Sequence, residues 1–175
     1  MKTFHDLAKN RRSIRKYLEK SVEREKIEQI LQTALMSPAS KRTNGWEFVV
    51  VEDKEMLKKM SECRPFGSKL VEGAPLAIVV VADSEKSDVW YEDASIAATF
   101  IQLQAEDLGL GSCWVQVHNR EKNEQQTAED YIKGLLNIPQ NLCVLNIVAI
   151  GYKDEERKPY DEEKLQYEKI HWEKF

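Results

Sequence analysis

Arg11, Arg12, Ser13 and Arg15 place three guanidinium groups and one hydroxyl within five residues. Guanidinium forks bind phosphate oxygens in pairs and a nearby hydroxyl adds a donor, so this cluster can hold one phosphate group. A solvated basic turn would use the same residues, and Lys16 and Arg24 make the whole stretch basic; on composition alone both readings stand. Few other segments offer chemistry. Gly109-Leu110-Gly111-Ser112 has glycines suited to a dinucleotide fingerprint, but a helix runs into them and a strand leaves, the reverse of the order a pyrophosphate needs. Gly109 reads instead as a helix C-cap. His5, His118 and His171 stand apart without Cys, Asp or Glu at metal-ligand spacing, so no metal site is expected. No Gly-x-Ser-x-Gly elbow occurs, and no side chain is assigned as a catalytic nucleophile or base. Cys63, Cys113 and Cys143 are read as inert thiols, with Cys63, beside Arg64 and Pro65, the only candidate for reactivity. A chain without its own nucleophile needs a carrier of reactivity, and a redox cofactor would supply it.

Composition narrows the partners. The 175 residues hold 26 Lys and Arg against 30 Asp and Glu, a formal charge of -4, which repels phosphate on average and argues against nucleic acid or anionic lipid as the ligand. The basic start is local: the first 26 residues carry nine Lys or Arg and four Asp or Glu. The longest apolar run, Ala74 to Ala82, is far below the roughly 20 residues of a membrane span. The N-terminus has no secretory pattern, so a cytoplasmic location is expected. With 42% apolar residues and no linker or repeat, one domain over 1–175 is expected.

The elements that must position the arginines follow from periodicity. A short helix is predicted over Thr3 to Asn10 and a second from an N-cap at Ser21 to near Ser37-Pro38, with Ile27, Ile30, Leu31, Ala34 and Leu35 on one side. Trp46 to Glu52 reads as a strand, Asp53 caps a helix reaching about Cys63, and Leu76 to Ala82 is a strand apolar on both faces that belongs inside a covered sheet. Tyr91 to Leu108 is helical and apolar nearly all round, which suits the domain centre and a subunit contact at once. A strand over Ser112 to Val117, a helix from Thr127 ended by Pro139, and a strand over Leu142 to Tyr152 complete an α+β or α/β sandwich of four or five strands. The charged tail beyond holds Tyr160, Leu165, Tyr167, Ile170, Trp172 and Phe175 and is expected to pack on something, such as a second subunit.

In order and spacing, several segments together resemble the nitroreductase family of flavin enzymes. They are Arg11-Arg12-Ser13-Ile14-Arg15-Lys16-Tyr17, Ser37-Pro38-Ala39-Ser40-Lys41-Arg42-Thr43-Asn44-Gly45-Trp46, Ala74-Pro75-Leu76-Ala77-Ile78-Val79-Val80, Glu92-Asp93-Ala94, Leu108-Gly109-Leu110-Gly111-Ser112-Cys113-Trp114-Val115 and Ile150-Gly151-Tyr152. The resemblance implies a three-layer α/β/α sandwich on a mostly antiparallel sheet, an intertwined homodimer, and FMN bound non-covalently at the subunit interface. It implies that Arg11, Arg12, Ser13 and Arg15 contact the phosphate, ribityl chain and pyrimidine edge. Pro38, Ala39 and Ser40 would come from the other subunit, with Asn44 as a further contact. Gln116 and Val117 match the place where backbone amides approach the flavin N5, and Arg157 is a second phosphate ligand. Lys69 is a candidate neighbour of the pyrimidine, and Trp90 and Tyr91 are candidate pocket gates. Many members carry Asn, Gln and Pro where this chain has Arg42, Asn44 and Gly45. The implied activity is ping-pong hydride transfer from NAD(P)H to a small electron-poor acceptor such as a nitroaromatic or quinone. Alternatives are a flavoenzyme of this fold that dehalogenates or dehydrogenates, and a flavin-binding protein without catalysis.

Overall fold

The computed structural model describes residues 3–175. Helix α1 (Phe4–Asn10) starts at a capping box, in which the Thr3 hydroxyl accepts the Asp6 N–H and the Asp6 carboxylate accepts the Thr3 N–H. Helix α2 (Arg24–Leu35) begins two residues later than the Ser21 cap predicts: Glu23 is the N-cap and makes no side-chain cap bond. Val22 and Ile27, just before the cap and in the second turn, are both buried in one apolar cluster. That is a hydrophobic staple, and it fixes the start where a hydroxyl cap does not.

The main sheet contains β1 (Trp46–Val51), β2 (Leu76–Asp83), β3 (Gly111–Gln116) and β6 (Leu142–Gly151), in the order β1-β2-β6-β3 with every pairing antiparallel. Strand β2 is buried along its whole length, as its unbroken apolar run requires of an interior strand. Its residues alternate between two cores. Leu76, Ile78, Val80 and Ala82 face α2 and the long α4 (Trp90–Asp107), while Ala77, Val79 and Val81 face α3 (Lys54–Met60) and α5 (Ala128–Leu136). Helices on both faces make this the three-layer α/β/α sandwich expected. Helix α4 packs against α1, α2 and the sheet, and its Ala94, Ala97, Ala98 and Ala105 are fully buried, small side chains that let neighbours approach closely.

Two local expectations are corrected. Helix α5 is stopped by Asn137 in the left-handed conformation, φ 54°, whose N–H donates to the Lys133 carbonyl; Pro139 lies beyond the end already made. Between β3 and α5 a short ribbon, β4 (Glu121–Asn123) with β5 (Gln126–Thr127), forms from polar residues that carry no strand pattern. Among the described residues no helix is long and apolar enough to cross a membrane.

Candidate active site

Residues 11–17 leave α1 and run extended beside the start of β3. Ile14 donates its N–H to the Ser112 carbonyl at 3.0 Å, and Ser13 forms a parallel bridge with Ser112. Two features of the glycine segment make that path possible. Gly109, φ +76°, closes α4 with the Gly109 N–H on the Glu106 carbonyl and the Leu110 N–H on the Ala105 carbonyl, a Schellman motif that turns the chain into β3. Gly111 has no side chain where Ile14 arrives: a Cβ there would meet Ile14 Cβ and Cγ2 at 2.8 Å. The glycines read as a false phosphate loop thus bring the arginine turn to the sheet. Tyr17 anchors its far end, buried, with its hydroxyl donating to the Ile14 carbonyl. Burial pushes that phenol well above its ordinary range.

Arg11, Arg12, Ser13 and Arg15 line one polar cavity of about 170 Å³, joined there by Arg157 and Tyr160 from beyond β6. Arg12 donates through Nη1 to the Lys158 carbonyl at 2.6 Å, and its guanidinium lies 4.5 Å from the centre of the Tyr160 ring. Arg15 donates its backbone N–H to Glu155 Oε1, and Arg157 Nη2 pairs with Glu155 Oε2 at 2.8 Å. The Arg15 N–H, reinforced by the Arg157 charge, holds the Glu155 carboxyl below its usual range. Four guanidinium groups around one cavity, of which only Arg157 pairs with a carboxylate among the described residues, leave an excess of donors suited to a dianionic phosphate. The donor set therefore fits the phosphate end of FMN. A larger, half-apolar cavity of about 490 Å³ adjoins it, sharing Arg11 and Ser13 and continuing along Thr99, Gln102 and Leu103 of α4 to Trp114.

The other residues singled out in the sequence lie elsewhere on the protomer. Pro38 and Asn44 are exposed, and Ala39 and Ser40 are half-buried. Ser40 is tied to Asp93 at the start of α4, nine residues and roughly 13 Å along the axis from Gln102. Within one protomer the turn does not line the arginine cavity. Gln116 is half-buried: its carbonyl accepts Arg64 Nη1 at 3.2 Å, its Oε1 accepts Trp114 Nε1 at 2.8 Å, and its Nε2 donates to the His118 carbonyl at 3.0 Å. Val117 is fully buried, and its N–H donates to the Leu145 carbonyl at 3.1 Å. Lys69 pairs with Glu72 at 2.7 Å, in a shallow cavity that also touches Arg15. Cys63 is fully buried and desolvation raises its thiol pKa, which removes it as a reactive group.

Sequence reasoning missed Glu155 as the carboxylate orienting Arg15 and Arg157. It also missed Tyr160 as a wall of the cavity, and the packing of His118. Trp90 meets His118 edge to face at 4.9 Å, and the His118 Nδ1 lies 3.3 Å from Glu129 Oε2. No local pattern announces these, because Glu155 with Arg15, Tyr160 with Arg12 and His118 with Trp90 each join residues distant in the chain.

Comparison with known proteins agrees with this geometry. The profile of the Nitroreductase family matches residues 8–63 and 63–152. A protein of Archaeoglobus fulgidus, whose provisional name pairs NADH dehydrogenase with NAD(P)H nitroreductase, is 40% identical over 170 residues, 94% of each chain. An iodotyrosine deiodinase of Thermotoga neapolitana is 25% identical over 187 residues, covering 91% of this chain and 94% of its own. Among solved structures, an FMN-dependent nitroreductase from Clostridium difficile R20291 superposes with a TM-score of 0.95 at 52% identity, over 97% of this chain and 98% of that one. The arginine turn, the glycines that admit it and the four-stranded sheet fall within the matched segments: the chain belongs to the nitroreductase family.

Proposed function

We propose that the protein is an FMN-dependent NAD(P)H oxidoreductase that reduces small electron-poor molecules such as nitroaromatics and quinones. The observation that carries this reading is the convergence of Arg157 with Arg11, Arg12, Ser13 and Arg15 on one cavity, a donor set with an excess of positive charge suited to a dianionic phosphate. When bound there, FMN supplies the hydride chemistry that the side chains lack. The chain's own residues bind and orient. The guanidinium groups and Ser13 would hold the phosphate and ribityl chain, Arg15 would serve the pyrimidine edge, and Gln116, at the end of β3, would serve the reacting edge of the flavin.

A second copy of the chain completes the site in this reading, bringing Pro38, Ala39, Ser40 and Asn44 across the interface as a homodimer. Two features support a dimer: the turn's distance from its own arginine cavity, and the exposed Leu165, Tyr167, Ile170, Trp172 and Phe175 of the tail. NAD(P)H and acceptor then use one place in turn, which is ping-pong kinetics. Three free thiols suit a cytoplasmic protein.

The test is the absorption spectrum of the purified protein with size-exclusion mass. Expected are a yellow dimer, bleaching by NADH or NADPH without oxygen, and return of colour with a nitroaromatic, a quinone or a halogenated phenol. The panel separates reduction from dehalogenation. A colourless monomer that takes up no FMN overturns the proposal, and a flavin that neither nucleotide bleaches reduces it to flavin binding.

A further inference from the structure

The turn from Pro38 to Gly45 is held in an unusual shape. Lys41, Arg42 and Asn44 all have positive φ, 51°, 56° and 44°, three left-handed non-glycine residues within four. Such residues persist only where their surroundings over-determine them. Inside the turn the Thr43 hydroxyl donates to the Ser40 carbonyl at 3.0 Å, and at its end the Asp83 N–H donates to the Gly45 carbonyl at 2.9 Å. The Arg42 and Thr43 N–H groups also donate to the Ala39 and Ser40 carbonyls, at 3.2 and 2.9 Å, and a further fastening is a charge. Asp93, only 5% exposed, accepts the Ser40 N–H on Oδ1 at 2.9 Å and the Ser87 hydroxyl on Oδ2 at 3.3 Å. A buried carboxylate is costly unless its oxygens are matched by donors, and this one gives an oxygen to the backbone of the turn.

We propose that Asp93 is a positioning residue for the flavin: by gripping the Ser40 N–H it presets the turn that the proposed dimer places on the other subunit's FMN. The inference rests on the FMN reading above. Helix α4 makes the grip matter. It carries Asp93 in its first turn and lines the cavity beside Arg11 and Ser13 with Thr99, Gln102 and Leu103, so one helix sets both the turn lent to the neighbour and the wall of its own site. Asp93 touches neither substrate nor cofactor in this account and acts through Ser40.

The test compares FMN binding to wild type, Asp93→Ala and Asp93→Asn by fluorescence titration of the full-length apo-protein, with dimer mass and the visible circular dichroism of the bound flavin. Asp93→Asn keeps an oxygen for the Ser40 N–H. Loss of a charge-assisted hydrogen bond predicts a dissociation constant roughly ten- to hundred-fold higher for Asp93→Ala, with altered flavin dichroism. Asp93→Asn should return to within about threefold of wild type. Should Asp93→Ala fail to fold, Ser40→Pro deletes the same N–H from the other side. Proline suits the first position of a helical turn after an extended Ala39, φ −133° and ψ 148°. It should weaken FMN at least about tenfold beyond Ser40→Ala, which deletes only the hydroxyl. Wild-type affinity in Asp93→Ala, failure of Asp93→Asn to recover binding, or equal affinities for the two Ser40 variants overturns the inference while leaving FMN binding intact. Absence of FMN binding by wild type overturns the underlying reading and the inference together.

Discussion

Adding one methyl group at Gly111 should disturb the arginine turn more than most changes to the arginines' surroundings. A Cβ at that position would lie 2.8 Å from Ile14 Cβ and Cγ2 and 2.9 Å from Cγ1. Ile14 is 2% exposed and sits between Ser13 and Arg15. Its Cβ moves only with its backbone, so rotating the side chain does not relieve the clash. Overpacking of this kind costs about 1–3 kcal/mol. For a domain of this length, with an unfolding entropy of about 2 cal/mol/K per residue, that corresponds to a fall in Tm of roughly 3–8 °C. Gly134 is the internal control: it lies within α5, and a Cβ there meets nothing within 4 Å. Gly134→Ala should therefore gain about 1 kcal/mol of helix propensity and raise Tm by roughly 2–3 °C. Calorimetry on the apo-proteins reads both signs, and FMN titration should show weaker binding only for Gly111→Ala, because Ser13 and Arg15 move with Ile14. A Gly111→Ala protein as stable as wild type, with unchanged FMN affinity, would refute the claim that this close approach positions the site.

Arg157→Ala should raise the FMN dissociation constant about ten-fold or more, with a stronger effect at low salt, read by equilibrium titration; no change would remove Arg157 from the phosphate site. The Arg11→Ala, Arg12→Ala, Arg15→Ala triple variant should purify colourless. Glu155 has a lowered carboxyl pKa because its charged form accepts the Arg15 N–H and pairs with Arg157. Its stabilisation is therefore complete above the ordinary carboxylate range and disappears as pH falls through the lowered folded-state value. Thermal melts should show Glu155→Gln less stable than wild type near pH 7, with the two curves meeting in acid. Lys153 grips the buried Glu106 through both oxygens, at 2.9 and 2.8 Å. Lys153→Met should cost about 2–3 kcal/mol by stranding that carboxylate, less than a fully buried pair because the lysine is partly wet; pairing it with Glu106→Leu should recover most of the loss in denaturant melts.

What could be read from the sequence was whatever depends on local pattern. The apolar run in β2 gave an interior strand, the all-round apolar α4 gave a central helix, and Asp53 and Thr127 act as caps through their side chains; Thr3, read as the first helical residue, is itself a cap. The start of α2 was misplaced because a hydroxyl at Ser21 looks like a cap, whereas the deciding contact, Val22 with Ile27, is a packing event five residues long. The ribbon of β4 and β5 is held by backbone pairing among polar residues, which leaves no mark on hydropathy. At the site, the arginine cluster was visible as a cluster, but composition could not separate a phosphate cradle from a solvated turn. That distinction depends on Glu155, Arg157 and Tyr160 arriving after β6, some 140 residues later.

The arginine segment also lies along the outer side of β3, the last strand of the sheet, and its continuation bonds to the chain after β6: Leu18 N–H to the Tyr152 carbonyl at 2.9 Å and Asp154 N–H to the Lys16 carbonyl at 3.0 Å. The stretch that collects an anion is thereby also a guard rail over the start of β3, whose edge amides there would otherwise face the surroundings bare. Trimming the first eighteen residues would yield sticky, self-associating molecules, so a leader fused at this end must leave that rail free to dock.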